Sequence, residues 1–203
     1  MGYACAMKFD HTDAIVLTGG RGERMGGRDK GLVELCGKPL IQWVTDSIAP
    51  QVANIFISAN RNLEAYRALG YPVVVDELKD FQGPLAGIHS ALKKTRNEYV
   101  LVVPTDSPGL PSDLCYKLGT ALMESKAEIA VVKTDGRMQP VLMLFHTALK
   151  PEFEKWIQQG SRKVLDWIMS RRYVLVPFSS EDLLMVNINN SENLAAASKI
   201  LCP

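Results

Sequence analysis

Short apolar, largely β-branched runs recur along the first half of the chain. An amphipathic stretch of helical period separates each from the next, and this alternation limits the fold more than any other feature. "AIVLT" (Ala14–Thr18), "NIFISA" (Asn54–Ala59), "PVVVD" (Pro72–Asp76) and "YVLVV" (Tyr99–Val103) read as strands. Between them lie helical patterns at Pro39–Ala49, opened by its proline, at Arg61–Gly70, closed by its glycine, and at Pro84–Thr95. Pro111–Ser125 follows as a fourth helix. The strand runs are apolar at successive positions rather than at every second one, so both of their faces must be covered. That predicts a mostly parallel sheet with helices on both sides, a three-layer α/β/α architecture. The second half is more mixed. Glu128–Thr134, Gln139–Phe145 and Tyr173–Phe178 read as strands, and Leu149–Gln159 and Arg162–Arg172 as helices. No linker, repeat or low-complexity segment interrupts the pattern. The 203 residues form a single α/β domain on this reading, with residues 1–12 as a flexible N-terminal segment. A chain of this size buries roughly 70% of its unfolded surface, so a full core is available.

Charge and composition narrow the classes of function. The net charge of +1 gives no global electrostatic case for nucleic acid or an anionic membrane, so any anion site must be local. No apolar run reaches the ~18 residues of a membrane span. The start, "MGYACAMKFDHTD", lacks the basic and apolar regions of a signal peptide. Cys5, Cys36, Cys115 and Cys202 are dispersed and read as reduced thiols of a cytoplasmic protein. His11, His89 and His146 are dispersed too, which speaks against a zinc site. His89 reads as a helix-face histidine rather than a base, and Trp43, Trp156 and Trp167 read as core.

The stretch Leu17–Gly31, "LTGGRGERMGGRDKG", directly follows the first strand and holds six glycines, three arginines and a lysine. Ligands of open parallel sheets bind at the carboxyl ends of the strands. Glycines let backbone N–H groups approach phosphate oxygens, and the cations add donors. A nucleoside triphosphate or another polyphosphate fits such a loop. It is neither of two familiar loops. Met25 stands where the dinucleotide fingerprint needs its third glycine, and Gly37-Lys38 is followed by Pro39 rather than Ser or Thr.

The longer stretch "LTGGRGERMGGRDKGLVELCGKPL" (Leu17–Leu40) resembles the signature of nucleotidyltransferases with a glycosyltransferase-A-like, Rossmann-like fold. Within them it is most similar to the molybdenum cofactor guanylyltransferases. "SANR" (Ser58–Arg61), "VVVDE" (Val73–Glu77), "GPLAG" (Gly83–Gly87), "VPTDSP" (Val103–Pro108), "QPVLML" (Gln139–Leu144) and "VNINNSENL" (Val186–Leu194) match the same family in order. The Gly19-Gly20 pair and "GGRDKGL" favour the guanylyl branch over the cytidylyl one.

The resemblance implies roles for individual residues. Asp106, just past a strand end and flanked by Pro104 and Pro108, would hold Mg²⁺ against triphosphate oxygens. Lys30 would contact the triphosphate and stabilise the charge that accumulates on leaving pyrophosphate, with Arg24 as a second cation. Arg21 and Arg28 read as surface residues. Leu17, Thr18, Gly19 and Gly20 would face the nucleotide. Asp76 would accept hydrogen bonds from base or ribose, with Ser58 and Asn60 beside it; the family often has Asn where this chain has Ser58. Gly83 and Gly87, at the start of a helix, would serve an anion of the acceptor. Asn187 and Asn189, on one face of a short strand, would line the metal or pterin side. Arg162 and Lys163 read as a solvated helix start.

The activity this resemblance implies is transfer of GMP from GTP to the terminal phosphate of molybdopterin, the molybdenum cofactor. Pyrophosphate leaves, and a guanine dinucleotide cofactor forms. Mg²⁺ would be the cofactor. Cofactor-insertion proteins and molybdoenzyme chaperones would be downstream partners of a monomer. The acceptor phosphate is already ionised, so no general base is needed, and positioning and charge neutralisation carry the reaction. Three other readings stay open on the sequence: a nucleotidyltransferase using CTP with molybdopterin or a sugar phosphate as acceptor, a non-catalytic nucleotide-binding module, and an interaction domain using the loop as an epitope.

Overall fold

The computed structural model describes residues 11–18, 29–78, 83–160, 163–179, 188 and 190–202. The first strand, β1 (Thr12–Leu17), is buried along its whole length and starts two residues earlier than its apolar run. A tight hairpin, β2 (Glu34–Leu35) and β3 (Lys38–Pro39), leads into helix α1 (Leu40–Ile48). Then come β4 (Asn54–Ser58), the short α2 (Leu63–Arg67), β5 (Val73–Val74), α3 (Pro84–Leu92) and β6 (Tyr99–Pro104). The remainder is α4 (Leu114–Ser125), β7 (Ile129–Thr134), β8 (Arg137–His146), α5 (Lys150–Gln158), α6 (Val164–Met169), β9 (Tyr173–Pro177) and α7 (Ser191–Leu201).

Seven strands form the main sheet in the order β5-β4-β1-β6-β8-β7-β9. β1 lies parallel to both β4 and β6, and β8 runs antiparallel to its neighbours β6 and β7. The expected mostly parallel sheet is therefore present, in a single α/β domain.

Alternation along each strand splits the core in two. Ala14 and Val16 point to the side covered by α1 and α4, where Ile41, Val44, Ile48, Leu114 and Leu118 pack. Ile15 and Leu17 point to the side covered by α3, α5 and α6, where Ile88, Phe153 and Trp167 pack. Both sets are buried, which is why these strands read as unbroken apolar runs. Of the three tryptophans, Trp167 lies in the second core. Trp156 is partly buried against it. Trp43 is half-buried outside both, donating Nε1–H to the Leu35 carbonyl at 3.0 Å.

The cysteine reading needs correction. Cys36, in the β2–β3 turn, and Cys202, just past α7, form a disulfide with Cα atoms 5.9 Å apart, while Cys115 is buried and free. Dispersal in sequence said nothing about this pair, because α7 folds back over the hairpin. Leu35, Leu40, Ile188 and Ala197 form a small third core between them. Among the described residues no helix is long and apolar enough to cross a membrane.

The chain steps from β1 outward to β4 and β5, then crosses back to β6 on the other side of β1. That reversal places a crevice at the carboxyl ends of β1 and β6.

Candidate functional site

Leu17 and Thr18 end β1 at this crevice, and Thr105 and Asp106 follow β6 beside them, with Thr105 N–H donating to the Leu17 carbonyl at 3.1 Å. The next neighbour on the other side is the end of β4. Thr18 binds there twice, its N–H and its hydroxyl both donating to the Ser58 carbonyl, at 3.1 and 2.7 Å.

A hydrogen-bonded carboxylate extends this side of the crevice. Asp76, just beyond β5, accepts from Asn60 Nδ2 at 2.8 Å and from the Ser58 hydroxyl at 3.4 Å. Asn60 Oδ1 accepts in return from the Asp76 N–H at 2.9 Å. This two-way clamp fixes the carboxyl in orientation while leaving it partly exposed. Gly87, buried in α3, closes the floor: a Cβ there would fall on the Ser58 hydroxyl and 3.1 Å from Leu17 Cδ2. Gly83 precedes α3 with φ of 139°, a conformation that favours glycine.

On the other side, Lys30 meets Asp106. Lys30 Nζ lies 2.8 Å from Asp106 Oδ2, with side chains 19% and 25% exposed, so both remain reachable from solvent. Lys30 opens a single 3-10 turn, Lys30–Leu32, capped by Asp29, whose carboxylate accepts from Gly31 N–H at 3.3 Å. Asp106 is held from the other direction: its carbonyl accepts from the Ile188 N–H at 3.0 Å, which ties the approach to α7 to the crevice.

Of the residues expected at a site, Leu17, Thr18, Ser58, Asn60, Asp76 and Gly87 thus assemble on one side and Lys30 with Asp106 on the other. Gly83 sits apart, at the α3 terminus. Gly19, Gly20, Arg24, Asn187 and Asn189 lie outside the described residues, as do Arg21, Arg28 and Arg162. Lys163 is exposed at the start of α6. His89 is buried between α3 and α5, with Nε2 paired to Glu154.

Sequence reasoning passed over Asp29, whose side chain is only 5% exposed. It accepts from Asn62 Nδ2 at 2.9 Å and from the Tyr66 hydroxyl at 2.5 Å. An acidic residue next to the loop lysine was the available signal. Its partners on α2 were not readable, because they come from more than thirty residues away.

Comparison with known proteins agrees with this geometry. Residues 14–173 match the family model described as the MobA-like NTP transferase domain. The chain is 42% identical over 182 residues to the molybdenum cofactor guanylyltransferase of Shewanella putrefaciens, covering 90% of this chain and 93% of that one. It is 43% identical over 180 residues to that of Shewanella woodyi, covering 89% and 92%. The chain belongs to the molybdenum cofactor guanylyltransferase family. A solved structure of the molybdopterin-guanine dinucleotide biosynthesis protein A from Archaeoglobus fulgidus superposes on 93% of this chain and 98% of its own. The TM-score is 0.75 at 28% identity. The 2-C-methyl-D-erythritol 4-phosphate cytidylyltransferase of Thermus thermophilus shares the fold, with a TM-score of 0.68 at 16% identity. The Archaeoglobus protein thus shares the overall fold of this chain.

Proposed function

We propose that this chain transfers GMP from GTP to the terminal phosphate of molybdopterin, releasing pyrophosphate and forming the guanine dinucleotide cofactor. The observation that carries the reading is the pairing of Lys30 with Asp106 at the mouth of β1 and β6, in a chain whose relatives at 42% identity are guanylyltransferases. A cation and a carboxylate in contact, both partly exposed, suit a site that must receive a polyphosphate with its counterion.

Asp106 offers a hard oxygen donor of the type Mg²⁺ prefers, and one carboxylate suffices where phosphate oxygens and water complete the shell. Bound there, Mg²⁺ would neutralise triphosphate charge at the α-phosphorus and the leaving group. Lys30 then turns from its ion pair toward the triphosphate and stabilises charge on the departing pyrophosphate. Asp76, clamped by Asn60 and Ser58, accepts hydrogen bonds from the guanine or ribose. Thr18 and Leu17 present backbone at the same edge. No side chain is required to remove a proton, since the acceptor phosphate attacks already ionised.

The test is pyrophosphate release from GTP, CTP, ATP and UTP separately, each with Mg²⁺ and molybdopterin, for the parent chain and Asp106→Asn. Release with GTP alone, reduced at least about a hundredfold in Asp106→Asn, supports the reading. Release with CTP moves the chain to the neighbouring specificity. Near-parental turnover in Asp106→Asn removes that residue from the metal role.

A further inference from the structure

The Tyr66 side chain is fully buried on a helix of only five residues, and its hydroxyl lies under the crevice. It donates to Asp29 Oδ1 at 2.5 Å. The phenol therefore holds the side chain of the residue preceding Lys30.

The residue following Lys30 is fitted to the same group. Gly31 is buried, and a Cβ on it would stand 2.5 Å from the Tyr66 hydroxyl oxygen and 3.3 Å from two ring carbons. Lys30 is thus bracketed by two neighbours that both rest on Tyr66. The Asp29 carboxylate is further held by Asn62 Nδ2 at 2.9 Å and Gly31 N–H at 3.3 Å, with Arg61 Nε 3.8 Å away. Burying a carboxylate and a phenol together is costly unless every polar atom is matched, and a helix needing only an anchor would use an apolar residue. Burial first, and then the Asp29 hydrogen bond and charge, push the phenol far above its ordinary pKa, so it stays a neutral donor.

We propose that Tyr66 is a positioning residue: its hydroxyl clasps the Asp29 carboxylate while its ring and oxygen back Gly31, and it thereby sets where Lys30 stands relative to the nucleotide. The inference rests on the reading of Lys30 as the triphosphate cation. A cation displaced by a fraction of an ångström stabilises the transition state less while binding the ground state nearly as well.

The experiment compares Tyr66→Phe, Asp29→Asn, their double variant and Lys30→Ala, measuring kcat and KM for GTP and for molybdopterin together with Tm. Tyr66→Phe keeps the ring in place. It should lower kcat with GTP about tenfold and leave the KM for molybdopterin within twofold. Asp29→Asn should lose a similar factor, and the double variant no more than the worse single one, because both break the same clasp. Gly31→Ala should also lose activity and regain part of it when combined with Tyr66→Phe. If Lys30→Ala is inactive while Tyr66→Phe turns over like the parent, the clasp is overturned and the site reading stands. If Lys30→Ala turns over normally, the site reading falls and the clasp with it. Losses in Tyr66→Phe and Asp29→Asn that multiply would also overturn the clasp.

Discussion

Single residues carry different burdens at the two ends of the sheet. At the crevice, Lys30, Asp76 and Asp106 stay partly exposed, and they were singled out in the sequence by the family resemblance together with their places in the glycine-rich stretch or just past an apolar run. At the opposite end, Asp13 was invisible: it lies inside a strand and looks like an interruption. Its carboxylate is buried, yet it accepts from Asn54 Nδ2 at 2.8 Å, Asn97 Nδ2 at 2.7 Å, Arg96 N–H at 2.8 Å and Asn97 N–H at 3.1 Å. Burial alone would raise its pKa, but these four donors together hold it below the usual carboxylate value. A carboxyl whose folded pKa is depressed contributes stability that is complete above its unfolded pKa, near 4, and is lost as pH falls through the folded one. Unfolding free energy should therefore decline below about pH 4, and part of that decline should vanish in Asp13→Asn. At neutral pH the same variant should be about 2 kcal/mol less stable, since an amide nitrogen replaces an acceptor among donors, and its Tm should fall by roughly 4–8 °C. Denaturant titrations at pH 3.5 and pH 7 check both statements, and an unchanged pH slope would remove Asp13 as the acid-sensitive group.

Elements were legible where one physical signal dominated. The strands β1, β4, β6 and β7 were read because both faces are buried, and α3, α4 and α5 because their apolar stripes face the sheet. The edge strand was read too long: only Val73–Val74 pairs, because nothing lies beyond β5 to hold the rest. The β2–β3 hairpin was missed because it is two residues a side. Its turn, with φ of 56° at Cys36 and 72° at Gly37, was signalled only by the glycine. Helix α7 was missed although its cap was in the sequence: the Asn190 side chain accepts from the Asn193 N–H at 2.8 Å ahead of three alanines. Packing between elements was less readable still. That Gly87 backs Ser58 and Leu17 follows from how closely α3 approaches β1 and β4, which no local pattern reports. Gly87→Ala should push on the Ser58 hydroxyl and shift Asp76, raising the KM for GTP several-fold. Ser58→Ala in the same chain removes the colliding atom and should restore part of the loss. Steady-state kinetics on the three variants check this; equal impairment of the single and double variants would mean that the helix, not the hydroxyl, had moved.

At the scale of the molecule, the Lys30–Asp106 side of the crevice is tied to the C-terminal segment of the chain. Ile188 bonds the Asp106 backbone, α7 packs on the hairpin through Ala197 and Leu35, and Cys202 closes onto Cys36, six residues beyond Lys30. The disulfide spans a sequence separation of 166 residues. A loop that long gives a chain-entropy stabilisation of about 5 kcal/mol as an upper value, because the reduced unfolded chain has far more freedom to lose. Cys36→Ser with Cys202→Ser should therefore lower Tm by up to roughly 10–20 °C. A thiol reductant should lower the Tm of the parent chain by a similar amount and leave the double variant unaffected. Cys115 does not confuse the comparison, since burial pushes its thiol up to about 12 and keeps it unreactive. Because Ile188, three residues before α7, bonds Asp106 while α7 packs on the hairpin, the two effects should be coupled. Reduction should weaken Mg·GTP binding in the parent chain and leave the double variant, whose tether is already absent, with that weaker affinity in either buffer. A parent chain whose Tm and affinity both ignore the reductant would show that α7 is held by its apolar contacts alone.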